Sequence, residues 1–223
     1  EILIGLVGSE MCIRDSDNFE DINTNPDAVT KVSPKLLATG AIVGLMKPSK
    51  GKDFIYNQMT CKYIGWSEAL EGTQYNNFGR ESFSGYTSLT NYKLMAELTD
   101  KDETMNEDKR NAYKGLALFL KAYRLFEYTL NVGDIPYEGI LEGKEGNLTV
   151  AYNTQEDVFK FLLNDLDKAH EYFQNANQTT FDGDPIFGGK VEQWHRVSNA
   201  LELRILINLS KKLNSVSYTH LRA

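Results

Sequence analysis

From Lys109 to Val132 the chain reads KRNAYKGLALFLKAYRLFEYTLNV, and no other stretch limits the available folds as strongly. Ala112, Leu116, Phe119, Tyr123, Phe126 and Leu130 recur in steps of four and three, which sets them in one apolar stripe along an α-helix. Lys114, Lys121 and Glu127 point elsewhere, and Gly133 supplies a left-handed stop. A long amphipathic helix has to bury its stripe against other elements, so the rest of the chain must provide partners.

Those partners are further helices. Ser33-Pro34 has the form of an N-cap followed by Pro at the first helical position, opening a helix over Lys35 to Met46 that Pro48 stops. Ile55, Met59, Tyr63 and Trp66 recur at helical spacing and predict a second helix over Asp53 to Ala69; a third is expected from Thr87 to Leu98. Thr154-Gln155-Glu156-Asp157 resembles a capping box, and Phe159, Leu162, Leu163, Leu166 and Phe173 share a face of the helix it opens. The last helix, Val191 to Leu213, is apolar nearly all round through Val197, Leu201, Leu203, Ile205, Leu206 and Leu209, which predicts burial on several sides. Strand patterns are nearly absent, so the expected class is all-α: helical hairpins stacked in a tetratricopeptide-like superhelix. The interval from Lys109 to Gln155 exceeds the usual repeat period and the Trp/Gly/Tyr consensus is missing, which implies degenerate repeats with long loop inserts.

The two ends read differently. Met11 to Ser16 can be encoded by a DNA string whose reverse complement encodes Val216 to His220, as expected of a transposase-type sequencing adapter translated at each edge of a short read. Residues 1–16 and 216–223 are therefore expected to be adapter-derived and 17–215 to be the genuine, truncated domain. Setting aside Glu1, Glu10, Asp15, Arg14 and Arg222 leaves 28 acidic and 22 basic residues, a balance that excludes a nucleic-acid surface built on clustered positive charge. No apolar stretch reaches the length of a membrane span.

Few residues carry reaction chemistry. Of the cysteines only Cys61 is expected to be genuine, a small buried side chain on a helix and not a metal ligand. His170, between Leu166 and Phe173, and His195, after Trp194, read as core or boundary histidines. Asp182 and Asp184 in FDGDPIFGG are too few for a hard-cation site and fit turn chemistry. The acidic run DKDETMNEDKR lacks a calcium loop's central Gly and terminal Glu, so it is expected to be a solvated linker. Arg204 sits among aliphatics and is expected in an ion pair or on a carbonyl. No phosphate loop, zinc-helix motif or nucleophile elbow occurs, so no cofactor, metal or catalytic residue is expected. A glycosidase would need two carboxylates facing across a cleft, and no pair can be placed that way.

Four segments in order resemble landmarks of the SusD/RagB family, nearest its SusD-like branch: DINTNPDAVTKVSPKLLATGAI, GDIPY at Gly133 to Tyr137, YNTQEDVFKFLLNDLDKA, and GDPIFGGKVEQWHRVSNALELRILINLS. The resemblance implies a lipid-anchored, surface-exposed outer-membrane protein of Bacteroidota. Tetratricopeptide-like helices there scaffold loops that capture glycans or other nutrients beside a TonB-dependent, SusC-like transporter. It also implies that this chain covers about the N-terminal half, with signal peptide and acylated cysteine upstream of Asp17, so that Cys12 is not the anchor. Within that reading the glycine-rich loop 72–85 is the candidate site, because sugar capture needs flat rings for C–H patches and fixed polar groups for hydroxyls. Trp66, Tyr75 and Phe78 are the expected stacking rings, and Asn77 and Arg80 the hydroxyl-binding groups; Phe83 adds a further ring. The bland alternative is that these aromatics pin a long loop onto the helices. The alternative function is a helical-repeat adaptor that binds another protein's peptide.

Overall fold

The computed structural model describes residues 32–45, 58, 61–65, 82–147, 149–176 and 178–210. The chain divides into two units, Glu1–Val32 and Ser33–Ala223, and everything below except Val32 belongs to the second. Five α-helices of this unit are described: α1 (Pro34–Leu45), α2 (Thr87–Lys101), α3 (Glu107–Val132), α4 (Gln155–Asn175) and α5 (Val191–Leu209). Among the described residues the only β pairing is two isolated bridges, Ile135 with Asn153 and Thr180 with Lys190.

The helix ends follow local chemistry. The Ser33 hydroxyl accepts from the Leu36 N–H at 3.4 Å, and Pro34 opens α1 as anticipated. Between α2 and α3 the acidic run shortens to a turn in which Asp102 accepts from the Thr104 N–H at 3.0 Å. Asn106 then caps α3 through the Lys109 N–H at 2.9 Å, so the helix starts at Glu107, two residues before the predicted start. Glu107 and Asp108 fall in the first turn, where the helix dipole favours negative charge. At the other end Gly133 takes φ 86° while its N–H donates to the Thr129 carbonyl. The Thr154 hydroxyl accepts from the Asp157 N–H at 3.2 Å and donates to the Asp157 carboxylate at 2.7 Å, a cap closed through the side chain.

Helix α3 lies at the centre, in contact with each of the other four helices. Its burial is wider than the single predicted stripe: Tyr113, Leu120 and Leu125 are as sealed as Leu116 and Phe126, while Leu130 is 41 % exposed at the helix end. Each such side chain removed from water contributes about 1.5–3 kcal/mol, so this helix dominates the core. The all-α hairpin stack anticipated from periodicity is the observed architecture.

Four expectations are corrected. The predicted helix over Asp53 to Ala69 does not run through Cys61–Gly65, which forms a turn with Lys62 at φ 63°. Cys61 is consequently exposed, not buried on a helix. Helix α5 is buried on one side, not several; Leu203 and Ile207 are 40 % and 62 % exposed, because its described neighbours α3 and α4 both face its Val191–Trp194–Ser198–Leu201–Ile205 edge. Arg204 follows from that geometry. It is exposed and needs no buried counter-charge, and its guanidinium lies 5.5 Å from the centroid of the Phe126 ring.

Candidate functional site

Trp66, Tyr75, Asn77, Phe78 and Arg80 all lie outside the described residues. What is described is the end of their loop, where Ser82 caps a 3-10 turn over Phe83–Tyr86. The Tyr128 hydroxyl of α3 accepts from the Gly85 N–H at 2.9 Å and donates to the Ser82 carbonyl at 3.1 Å, so one phenol satisfies both strands of the turn. A Cβ on Gly85 would meet that hydroxyl oxygen at 2.4 Å, which explains the glycine. Phe83 lies nearly parallel to Tyr128, centroids 5.5 Å apart, yet remains 36 % exposed. The ring therefore pins the end of the loop, while the residue stays over a third exposed.

Tyr86 carries this anchor to the GDIPY segment by donating to the Pro136 carbonyl at 2.9 Å. Burial, with smaller contributions from Tyr128 and Tyr152, pushes its hydroxyl far above the ordinary phenol range, so it stays a neutral donor. GDIPY itself is tied to the start of α4. Asp134 accepts from the Gln155 N–H at 2.8 Å, and the Asn153 side-chain oxygen accepts from the Tyr137 and Glu138 N–H groups. Tyr137 then reaches inward: its hydroxyl donates to Asp165 of α4 at 2.7 Å, and Lys121 of α3 meets the same carboxylate oxygen at 2.8 Å. The Lys121 ammonium also stands 4.4 Å from the Tyr137 ring centroid, and Phe161 stacks on that ring at 5.3 Å. Tyr137 and Asp165 are 5 % and 8 % exposed. Burial first, then the Asp165 charge, holds the Tyr137 hydroxyl protonated.

This triad forms one wall of a cavity of about 370 Å³ lined also by Glu138, Phe161 and Asn164. A second cavity of about 370 Å³, between α2 and α3, shares Lys93, Lys121 and Leu141 with it and has a more apolar floor of Leu89, Ala96, Ala117 and Leu118. Lys93 separates the two by donating to the Leu141 carbonyl at 2.8 Å, and Lys114 at the far end pairs with Asp100. Rings and aliphatic walls with amide, carboxylate and ammonium groups at the rim are what a polyhydroxylated guest requires, and each cavity has the volume of a small ligand. Among the described residues no three His, Cys, Asp or Glu side chains converge as a metal site. Asp184 confirms the turn reading of FDGDPIFGG: its carboxylate accepts from the N–H groups of Ile186 and Gly189, both at 2.9 Å, and from the Trp194 indole at 2.8 Å.

Sequence reasoning missed the triad. Lys121 was expected to point away from the packed stripe; instead its ammonium is drawn across the α3–α4 contact by Asp165. The available signal was Asp165 itself, a carboxylate set among Leu162, Leu166 and Ala169, all sealed on the same face, where an unpaired charge is untenable.

A family model described as SusD-like, starch-binding associating with outer membrane, matches residues 26–223. A solved SusD homolog from Bacteroides fragilis is 42% identical with a TM-score of 0.73 over 83% of this chain and 38% of its own. A second SusD homolog from that organism is 33% identical, TM-score 0.67, over 81% of this chain and 36% of its own. An outer membrane protein of Bacteroides vulgatus, whose description points to nutrient binding, is 27% identical with a TM-score of 0.65 over 81% of this chain and 37% of its own. This chain thus spans less than two-fifths of the length of these solved relatives. A comparison with curated proteins finds no match.

Proposed function

We propose that this chain, which belongs to the SusD-like family of starch-binding proteins associating with the outer membrane, is part of a non-catalytic, surface-exposed lipoprotein that captures oligosaccharides for a TonB-dependent, SusC-like transporter. The observation that carries the reading is the anchoring of the ring-bearing loop. Tyr128 and Tyr86 fasten its last residues to α3 and to GDIPY, while Phe83 remains partly exposed. Tyr86 donates to the carbonyl of Pro136, the residue before Tyr137, so the loop end is tied to the segment that forms the cavity wall with Asp165. On this reading Trp66, Tyr75 and Phe78 stack on pyranose faces, and Asn77 and Arg80 bind hydroxyls.

Electrophoresis of the full-length protein through gels containing soluble polysaccharide tests this. Retardation by at least one glycan is expected, and alanine at Trp66 and Tyr75 should abolish it. Retardation that survives both substitutions would remove the proposed site. A protein that no polysaccharide retards, yet captures a peptide, would be the helical-repeat adaptor instead.

A further inference from the structure

Helices α4 and α5 meet through two imidazoles. His170, 7 % exposed on α4, brings Nδ1 within 2.5 Å of Nε2 of the half-buried His195 on α5, with ring centroids 4.3 Å apart and the Phe173 ring beside them. The outer nitrogen of His170, Nε2, is sealed from solvent without a hydrogen-bond partner. Other charges stand off. On α4, Asp167, Lys168 and Glu171 are exposed, and on α5 Glu192 and Arg196 pair with each other at the surface. On α3, Lys114 pairs with Asp100 and lies over Tyr172.

A metal does not explain this contact. Two metal–nitrogen bonds of about 2.0–2.1 Å at a tetrahedral angle need a separation of roughly 3.3 Å. No third protein ligand joins the pair among the described residues either. A proton fits. A neutral imidazole has one donor and one acceptor nitrogen. If His195 donated, the His170 proton would have to sit on sealed Nε2 as an orphaned donor, whereas a bare lone pair there is the lesser cost. The favoured state therefore has His170 Nδ1–H donating to His195 Nε2, with the second proton of the pair on His195 Nδ1.

We propose that the His170–His195 pair makes the α4–α5 joint acid-sensitive: it holds while a single proton lies between the rings and loosens when the solvent supplies one more. An added proton has two places to go, sealed His170 Nε2 or His195 Nε2, where it confronts the N–H already in the gap. The second is relieved by moving α5 away from α4, and the first leaves a sealed N–H without an acceptor, so each makes the packed joint costlier. Trp194, next to His195, donates its indole N–H to Asp184, so the motion passes into the Asp182–Lys190 turn. Burial first and His170 second lower the pKa of His195 from the ordinary histidine value. The unfolded chain then takes up this proton more readily than the folded one, so the stabilisation is complete above about pH 6.5 and declines as pH falls through the lowered value.

Thermal unfolding of the full chain at pH 7.5, 6.5 and 5.5 tests the joint in a range where free carboxylates hardly titrate. The melting temperature should fall across that interval by at least about 2 °C, a shift that a small loss of stability produces in a chain of this size. His195→Gln and His170→Gln should each flatten the dependence. An equal fall in both variants, or a flat wild-type profile, overturns the proposal. Should the variants not fold, imidazole 15N titration of the wild type decides: one ring must take up its proton below the ordinary histidine range, and two rings titrating independently at the ordinary value refute the joint.

Discussion

Helix α4 holds its two neighbours with opposite chemistry. Toward α3 it presents Asp165, a buried carboxylate that takes an ammonium and a phenol on one oxygen; toward α5 it presents His170, a neutral ring that shares a proton with another neutral ring. The first contact is strong but unforgiving, since removal of Lys121 leaves a buried carboxylate without its counter-ion, and removal of Asp165 leaves the buried Tyr137 hydroxyl without its acceptor. The second costs little to make because no net charge is sealed away, but a change of pH can undo it. One helix thus joins a permanent core to a neighbour whose hold depends on the medium.

That contrast can be broken experimentally, beginning with its heaviest element. Asp165→Ala should lower stability by about 3–5 kcal/mol in urea unfolding, because Lys121 loses its counter-ion. Asp165→Asn should be nearly as harmful, and an Asn variant of native stability would show that charge does not hold α3 to α4. On the α5 side, Trp194→Phe removes a donor to a charged acceptor and should cost about 2 kcal/mol by the same measurement. A loss equal to that of Asp165→Ala would erase the distinction between the joints. Gly115→Ala brings a Cβ within 2.8 Å of the Phe173 ring where α3 and α4 touch, and a cost of about 1–2 kcal/mol is expected once the ring shifts. A stabilised variant would mean that the contact is loose. Ile207→Ser, on the outer face of α5, should change the stability of this chain by no more than about 0.5 kcal/mol. A large loss would show that this face is covered.

The helical frame was legible because its signals are local. Ser33-Pro34, Thr154 with Asp157, and Gly133 act within one turn of where they stand, and a stripe such as Leu116–Phe119–Phe126 is fixed by periodicity alone. What escaped depends on residues far apart in sequence. Nothing near Lys121 announces that its ammonium will meet Asp165, 44 residues later, and nothing near Gly85 announces Tyr128. The outward Leu203 was misjudged because an apolar helix face states a need for cover without naming the neighbour. Of the loop nominated for ligand capture, the pinning role read as its bland alternative is visible at Phe83, and the partial exposure of that residue leaves room for the other role as well.

The Thr39 hydroxyl on α1 lies 3.0 Å from the Lys35 carbonyl of its own helix and 2.8 Å from the Gly183 carbonyl, across 144 residues of chain. Gly183 can be nothing larger, since a Cβ there would stand 2.3 Å from the Lys35 carbonyl oxygen. A ribosome delivers these partners in a fixed order. The first helix is released early and has to wait, with this latch unclosed, until nearly the whole described stack has emerged behind it.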